Sequence, residues 1–159
     1  MDRYTIRGVS DSHGAYHLRR EGDVLHLRHV GDASLPDAMW LNARILNHAE
    51  QAGPLYLLID QSQAGSTSVE GRKWLSQNAP TSATRAIALF GGSTLNQSLA
   101  RLALRAIMLV RNTAIPIGFF PDVTAARAWL AAQRGNAGPA GDADSDGEPD
   151  PPAGPFEAS

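Results

Sequence analysis

The chain has no cysteine, which excludes thiolate metal ligands, thiol nucleophiles and disulfide switching together. Lysine is nearly absent as well. The single one, Lys73, follows no glycine-rich loop, so the nucleotide-binding pattern G-x-x-x-x-G-K-[ST] is missing. Long apolar runs are lacking near the start, where Asp2, Arg3, Arg7, Asp11 and His13 interrupt every stretch. Neither a signal-peptide core nor a membrane span is expected there, and the sequence reads as cytoplasmic. No serine sits in a G-x-S-x-G turn, since Ser93 in FGGSTL has glycines only before it. The five histidines are His13, His17, His26, His29 and His48, and no two have the i, i+4 spacing with a carboxylate that zinc sites favour. His17 and His26 sit where a hairpin could bring them together, although two strand histidines more often find ordinary hydrogen bonds. No catalytic residue, metal or cofactor is expected.

What is present suits one domain, because a compact chain of 159 residues buries most of its unfolded surface without covalent staples. The net charge of −2 hides an asymmetry. All fourteen Lys and Arg lie at or before Arg134, together with ten of the sixteen acids, which leaves the first part at +4 and the remainder at −6. The arginines are scattered rather than aligned in a stripe, so nucleic acid is not an expected partner. In 135–159, ten of 25 residues are Gly or Pro and Phe156 is the only large apolar side chain, so this segment is expected to be a disordered acidic tail. Asp142, Asp144, Asp146 and Gly147 match the opening of a calcium loop. Ala153 stands where the bidentate glutamate belongs, and Pro149, Pro151 and Pro152 preclude the exit helix, so a solvated linker accounts for the acids. Residues 1–14 are expected to be a flexible N-terminal segment and 15–134 the folded domain.

Within that domain, Ala15 to Arg20 and Val24 to Val30 read as two strands joined by the turn residues Glu21, Gly22 and Asp23. In the second strand Leu25, Leu27 and His29 share one face, and His26 and Arg28 belong to the other. Ser34 caps a helix running to about Ala52, with Ala38, Leu41, Ile45 and Ala49 toward the sheet. Leu55 to Ile59, ending in Asp60, is a continuous apolar run and reads as a central strand buried on both faces. Thr67 and Glu70 have capping-box spacing, so a second helix is expected from about Ser68 to Asn78. Arg85 to Phe90 makes the next strand, Gly91 and Gly92 its exit turn, and Ser93 or Thr94 the cap of a long helix from Leu95 to Arg111. On a helical wheel Leu95, Leu99, Leu102, Ala106, Leu109 and Val110 form one face of that helix. This face is expected to be buried and to make the helix a principal anchor of the fold. Ile115 to Phe120 supplies a last strand, and Asp122 caps a final helix through Trp129 and Leu130. The order ββαβαβαβα predicts an α/β fold with a mixed, mostly parallel sheet and packed helices. Trp129 is expected to pack on the sheet, whereas Trp40, if exposed, would mark a contact surface.

Several stretches, in this order and spacing, resemble the STAS superfamily (sulfate transporter and anti-sigma-factor antagonist), in its stand-alone bacterial branch similar to stage II sporulation antagonists. They are Gly31 before the capped helix at Ser34, LYLLIDQS from Leu55 to Ser62, RAIALFGGS from Arg85 to Ser93, and GFFPDVTAARAWL from Gly118 to Leu130. The resemblance covers about 15–134. It implies a STAS-like fold and a regulatory role through protein binding, with Asp60 and Ser62 matching the family's strand end. A phosphorylated serine or threonine then stands at the start of the family's next helix. Aligning Asp60 with the strand-end aspartate and Gly71 with the helix glycine places Val69 at that position and Ser68 at the aspartate before it, so the switch residue is missing in register. Ser66, Thr67 and Ser68 lie beside it, and a phosphate near a helix N-terminus is favoured electrostatically. Ordinary capping explains the same residues. The branch is also grouped with CRAL-TRIO lipid-binding folds, which implies an apolar ligand as a second line of enquiry.

The expected function is a non-catalytic STAS-like regulatory or protein-interaction module. Its contact or phosphorylation segment, the loop from Ser62 to Glu70 with the start of the second helix, would hold Asp60, Ser62, Ser66, Thr67, Ser68 and Glu70. The alternative is a carrier or sensor of a small apolar molecule or lipid, which needs an apolar pocket of roughly 300 Å³ or more. Gly91, Gly92, Ser93 and Thr94 form a turn whose amides could face an anion or ligand, as strand-to-helix turns can. A homo-oligomer is compatible with all of this.

Overall fold

The computed structural model describes residues 9–137. The stretch 138–159, with its calcium-like acids, lies outside the described residues, as do 1–8. Six strands and four helices follow in the order β1 (Val9–His13), β2 (Tyr16–Glu21), β3 (Val24–Ala33), α1 (Leu35–Ala52), β4 (Leu55–Thr67) and α2 (Val69–Asn78). A short 3-10 turn (Thr81–Ala83) leads into β5 (Thr84–Phe90), α3 (Thr94–Arg111), β6 (Ile117–Phe120) and α4 (Val123–Ala137). The strands lie side by side in sequence order. β1, β2 and β3 pair antiparallel, and β3 to β6 pair parallel because a helix carries the chain back before each of the last three strands. The mixed, mostly parallel α/β sheet expected from the sequence is therefore present, with one strand more.

That extra strand is β1. Val9 to His13 was expected to be flexible, yet it pairs with β2 residue for residue from Val9↔Arg20 to His13↔Tyr16. The sequence signal was weak because SDSH carries almost no apolar content, and pairing rather than burial holds it. Two side chains lock this edge to α1. His13 Nδ1 lies 2.9 Å from Asp37 Oδ1, and Arg44 is paired with Asp11.

The core has two layers. On one face Leu25, Leu27, Leu57, Ile87 and Leu89 meet Leu41 and Ile45 of α1, with Ala100 and Leu104 of α3 at the margin. On the other, Tyr56, Leu58, Ala86 and Ala88 meet Ala126 and Leu130 of α4, with Trp129 against Phe120. β4 contributes to both layers, as its unbroken apolar run predicts. Ser34 caps α1 in a full capping box with Asp37, and Asp122 Oδ1 accepts from Ala125 N at the start of α4.

One expectation fails outright. None of the residues of α3 is buried, and Leu95, Leu99, Leu102, Leu109 and Val110, read as the anchoring face, all point to solvent. The helix carries a second apolar set, Ala100, Leu104 and Met108, about half a turn away, and it is this set that approaches the sheet and β6. With two apolar stripes on one helix, periodicity finds both but cannot say which one faces inward. Among the described residues no helix is long and apolar enough to cross a membrane.

Candidate functional site

β4 runs well past Asp60. Its partner β5 ends at Phe90, opposite Asp60, while β3 continues alongside through Val30↔Gln63, Gly31↔Ala64 and Ala33↔Thr67. The segment expected to be a loop from Ser62 to Glu70 is thus strand as far as Thr67, followed by the start of α2. Two register shifts bend it. The second bend needs glycine, because a Cβ on Gly65 would lie 2.3 Å from Asp32 Oδ1 and 2.8 Å from the Gly31 carbonyl carbon. The helix cap is Ser68, not Thr67, and its hydroxyl accepts from Gly71 N at 3.0 Å.

Along this corner the hydroxyls and carboxylates are tied to one another. Asp60 Oδ1 accepts from Ser62 N at 2.9 Å and from the Ser62 hydroxyl at 2.7 Å. Asp32 Oδ1 accepts from Ser66 N at 2.9 Å and from the Ser66 hydroxyl at 3.4 Å. A phosphate on Ser66 would therefore meet a carboxylate at close range, which opposes the helix-terminus attraction. Val69, at the first position of α2, is 67% exposed, and Glu70 beside it is also exposed.

The Gly91–Thr94 turn sits against the base of the same corner. Both glycines have positive φ, and a Cβ on Gly92 would approach the Gln61 carbonyl oxygen to 3.0 Å, while one on Gly91 would crowd Ser62 at 3.1 Å. Two acceptors of the turn are engaged: Ser93 Oγ accepts from Asn96 N, and Gly91 O accepts from Gln97 Nε2. Asn96 Nδ2 donates to Ala64 O at 3.2 Å, joining α3 to the middle of the extended β4. The structure thus brings Asp60 and Ser62 together with the glycine turn, and sets Ser66, Thr67, Ser68 and Glu70 further along β4 and onto α2.

Three of the five histidines, His13, His26 and His48, are bonded to neighbouring elements of the scaffold. His17 and His26 are not cross-strand partners, since His17 faces Arg28 and His26 faces Arg19. Burial first, and the neighbouring Arg127 guanidinium second, push the His26 pKa down to about 4, so the neutral ring accepts from Arg127 at 2.7 Å. His48 is fully buried and accepts from Arg20 Nε at 3.0 Å, and burial holds its pKa below the usual value. His13 and Asp37 pair where the hairpin meets α1. Burial acts to raise the Asp37 pKa, but hydrogen bonds from Ser34, His13 and Ala15 outweigh it and hold the carboxyl below its ordinary range. Trp40 is half-buried and stacks on His13 at 5.4 Å, so it is part of this junction rather than a bare contact surface. No cluster of three metal-ligating side chains occurs among the described residues.

Three surfaces escaped the sequence reading. A groove of about 600 Å³ lies where α4 leaves the β1–β3 half of the sheet uncovered, lined by His17, Arg19, His26, Arg28, Asp60 and Phe90. The alternation His17/Arg19 and His26/Arg28 was its visible trace. A smaller pocket of about 400 Å³ lies between α3 and β6, with Leu104, Met108, Ile115, Ile117 and Phe119 on its walls and Arg101 and Arg105 giving it as much polar as apolar surface. The third is the outer face of α3.

Among solved structures, the chain is similar to an uncharacterized protein of the DUF3478 family with a SpoIIAA-like fold from Shewanella loihica PV-4. The TM-score is 0.53 at 23% identity, over 77% of this chain and 98% of that one. It is similar also to the anti-sigma factor antagonist SpoIIAA in its unphosphorylated form, with TM-score 0.51 at 12% identity, over 74% of this chain and 98% of that one. No protein-family model and no curated protein matches the sequence. At these identities the likeness concerns the fold, which is SpoIIAA-like and has the STAS-like architecture expected from the sequence.

Proposed function

We propose that this SpoIIAA-like domain is a non-catalytic, cytoplasmic regulatory module that binds another protein at the corner formed by the end of β4 and the start of α2. The observation that carries the reading is Val69. A branched aliphatic side chain stands 67% exposed on the first turn of a helix, at the position that the STAS resemblance gives to a phosphorylated residue, with exposed Ser66 and Glu70 on either side. Its backbone is held by the Ser68 cap and by the β3–β4 pairing. An apolar side chain on a fixed backbone suits a protein contact, because little conformational entropy is lost when it is covered. Valine cannot be phosphorylated, and a phosphate on Ser66 would face the Asp32 carboxylate, so neither of these two residues suits a phosphate switch.

Affinity purification of the tagged full-length chain tests this reading. Val69→Asp and Glu70→Arg should each remove the co-purifying partner while leaving the thermal transition in place, because both side chains are exposed. If every partner is retained by both variants, the contact surface lies elsewhere.

A second reading, a carrier of a small apolar molecule or lipid, draws on the pocket beneath α3. Its volume exceeds the roughly 300 Å³ such a ligand requires, and Leu104, Ile115, Ile117 and Phe119 give it apolar walls. Native mass spectrometry of freshly purified protein decides here. A stoichiometric apolar adduct that Leu104→Gln removes would support the carrier, and bare protein would count against it.

A further inference from the structure

Five of the nine large apolar side chains exposed among the described residues lie on the outer face of α3. Leu95, Leu99, Leu102, Leu109 and Val110 are all more than half exposed. On an ideal helix they fall within a stripe about 100° wide. At 1.5 Å per residue the stripe runs about 22 Å along the axis. It presents roughly 500 Å² of apolar surface, near the upper end of what a monomer leaves in water. Helices that are apolar on both sides are ordinarily enclosed, and α3 is covered on one side only.

Charge discriminates among occupants. Over its 18 residues α3 carries neither Asp nor Glu; of its arginines Arg105 borders the stripe, whereas Arg101 lies over the Phe119 ring and Arg111 is bonded to the Gln77 carbonyl. A second copy of this helix would bring no acid to face Arg105. The chain's own segment 138–159 has six acids but a single large apolar side chain, Phe156, which is too little to cover four leucines. An anionic lipid surface supplies both requirements at once: acyl chains for the leucines and phosphate headgroups for arginines, whose long stems let them reach outward from an apolar face.

We propose that α3 is an interfacial helix, lying along an anionic bilayer with Leu95, Leu99, Leu102 and Leu109 in the acyl boundary and Arg105 among the headgroups. This surface is separate from Val69 and does not depend on the protein-partner reading.

Flotation of the full-length protein with lipid vesicles is the test, using phosphatidylcholine alone and phosphatidylcholine mixed with phosphatidylglycerol, at low salt. The protein should float with the mixed vesicles and stay behind with phosphatidylcholine alone. The double variant Leu102→Glu/Leu109→Glu should lower the bound fraction at least ten-fold, on the order expected for placing charges where methylenes were inserted. Arg105→Gln should lower it about five-fold, the equivalent of ~1 kcal/mol per cation at such a surface. Both variants should keep the wild-type circular dichroism and thermal transition. Failure to float with either vesicle overturns the proposal, and so does equal flotation of the double variant. Elution as a dimer that the double variant turns into a monomer would give the face to a second copy and likewise overturn it. A stoichiometric protein partner lost with the same variant would do the same.

Discussion

Truncating Leu109 and Leu89 to alanine separates the inward from the outward leucines of this fold. Leu109 is 82% exposed, so folding removes only about a fifth of its side chain from water; at roughly 1.5–3 kcal/mol for full burial, truncation forfeits about 0.3–0.6 kcal/mol. Alanine also has the higher helix propensity, which offsets part of that loss. Leu109→Ala should therefore change stability by less than about 0.5 kcal/mol. Leu89 is 2% exposed and packs within the α1-side core, where Leu→Ala costs about 2–5 kcal/mol because a cavity is left behind. Urea denaturation followed by circular dichroism gives both values. With a slope of about 2 kcal/mol per molar, the Leu89 variant should lose about 1 M or more from its midpoint, and the Leu109 variant should barely move. A loss of 2 kcal/mol or more for Leu109→Ala would refute the outward orientation of α3 and restore the anchoring role that the helical wheel suggested.

Further outcomes follow from the hairpin junction and the histidines. Asp37→Ala should cost about 3 kcal/mol, since it removes a capping-box bond and the ties to His13 and Ala15, and the thermal midpoint should fall accordingly. Little change would mean that the junction is not a structural lock. Gly14→Ala should be clearly worse than Gly22→Ala. Both positions have positive φ, costing about 1–2 kcal/mol for a side chain, but only Gly14 would also drive its Cβ to 2.0 Å from Asp37 Oδ1. Equal melting temperatures would refute the close approach. Stability should fall on acidification: the His26 pKa is lowered to about 4, so its contribution is present above about 6.5, where the unfolded ring is neutral too, and is lost as pH drops toward about 4. Discounted for the ring's partial contact with water, the loss is about 1–2 kcal/mol, and the lowered pKa values of His29 and His48 act in the same direction. Urea midpoints at neutral and mildly acidic pH measure it, and a His26→Gln variant with an undiminished pH slope would exclude His26 as a source.

Elements were legible in the sequence wherever local chemistry and burial agreed. The Ser34 cap, the apolar run from Leu55 to Ile59 with its last residue only partly buried, the Gly91–Gly92 exit turn and the Asp122 cap all stand where short-range patterns place them. Legibility failed where a partner distant in sequence decides the outcome. β1 is a strand because β2 offers it a free edge, and β4 extends to Thr67 because β3 runs beside it and Gly65 permits the bend. The Ser62–Glu70 stretch looked like a loop because Gln, Ser, Gly and Thr carry no alternation, yet backbone pairing is indifferent to that. Of the candidate site, the order of residues was readable, but their partners were not. Nothing in the sequence indicated that Asp32 would face Ser66, or that Gln61 and Ser62 would pack on the two glycines.

The two proposed surfaces are joined through α3. Asn96 ties the start of α3 to Ala64, within the β4 segment that leads to Val69, and Arg111 Nη1 donates to the Gln77 carbonyl at 2.7 Å, so α3 runs beside α2 in the same direction. Because α3 buries none of its residues, displacing it sacrifices less apolar contact than displacing α1 or α4, which hold Leu41, Ile45, Ala126 and Leu130 in the core. A ligand that seated α3 differently would act on the Asn96–Ala64 bond, and through it on the corner that carries Val69. Coupling of that kind is reciprocal: by whatever factor lipid binding along α3 alters the affinity of a partner at the corner, the partner alters lipid binding by the same factor. A regulatory role of the kind proposed would then draw on the helix that buries none of its residues.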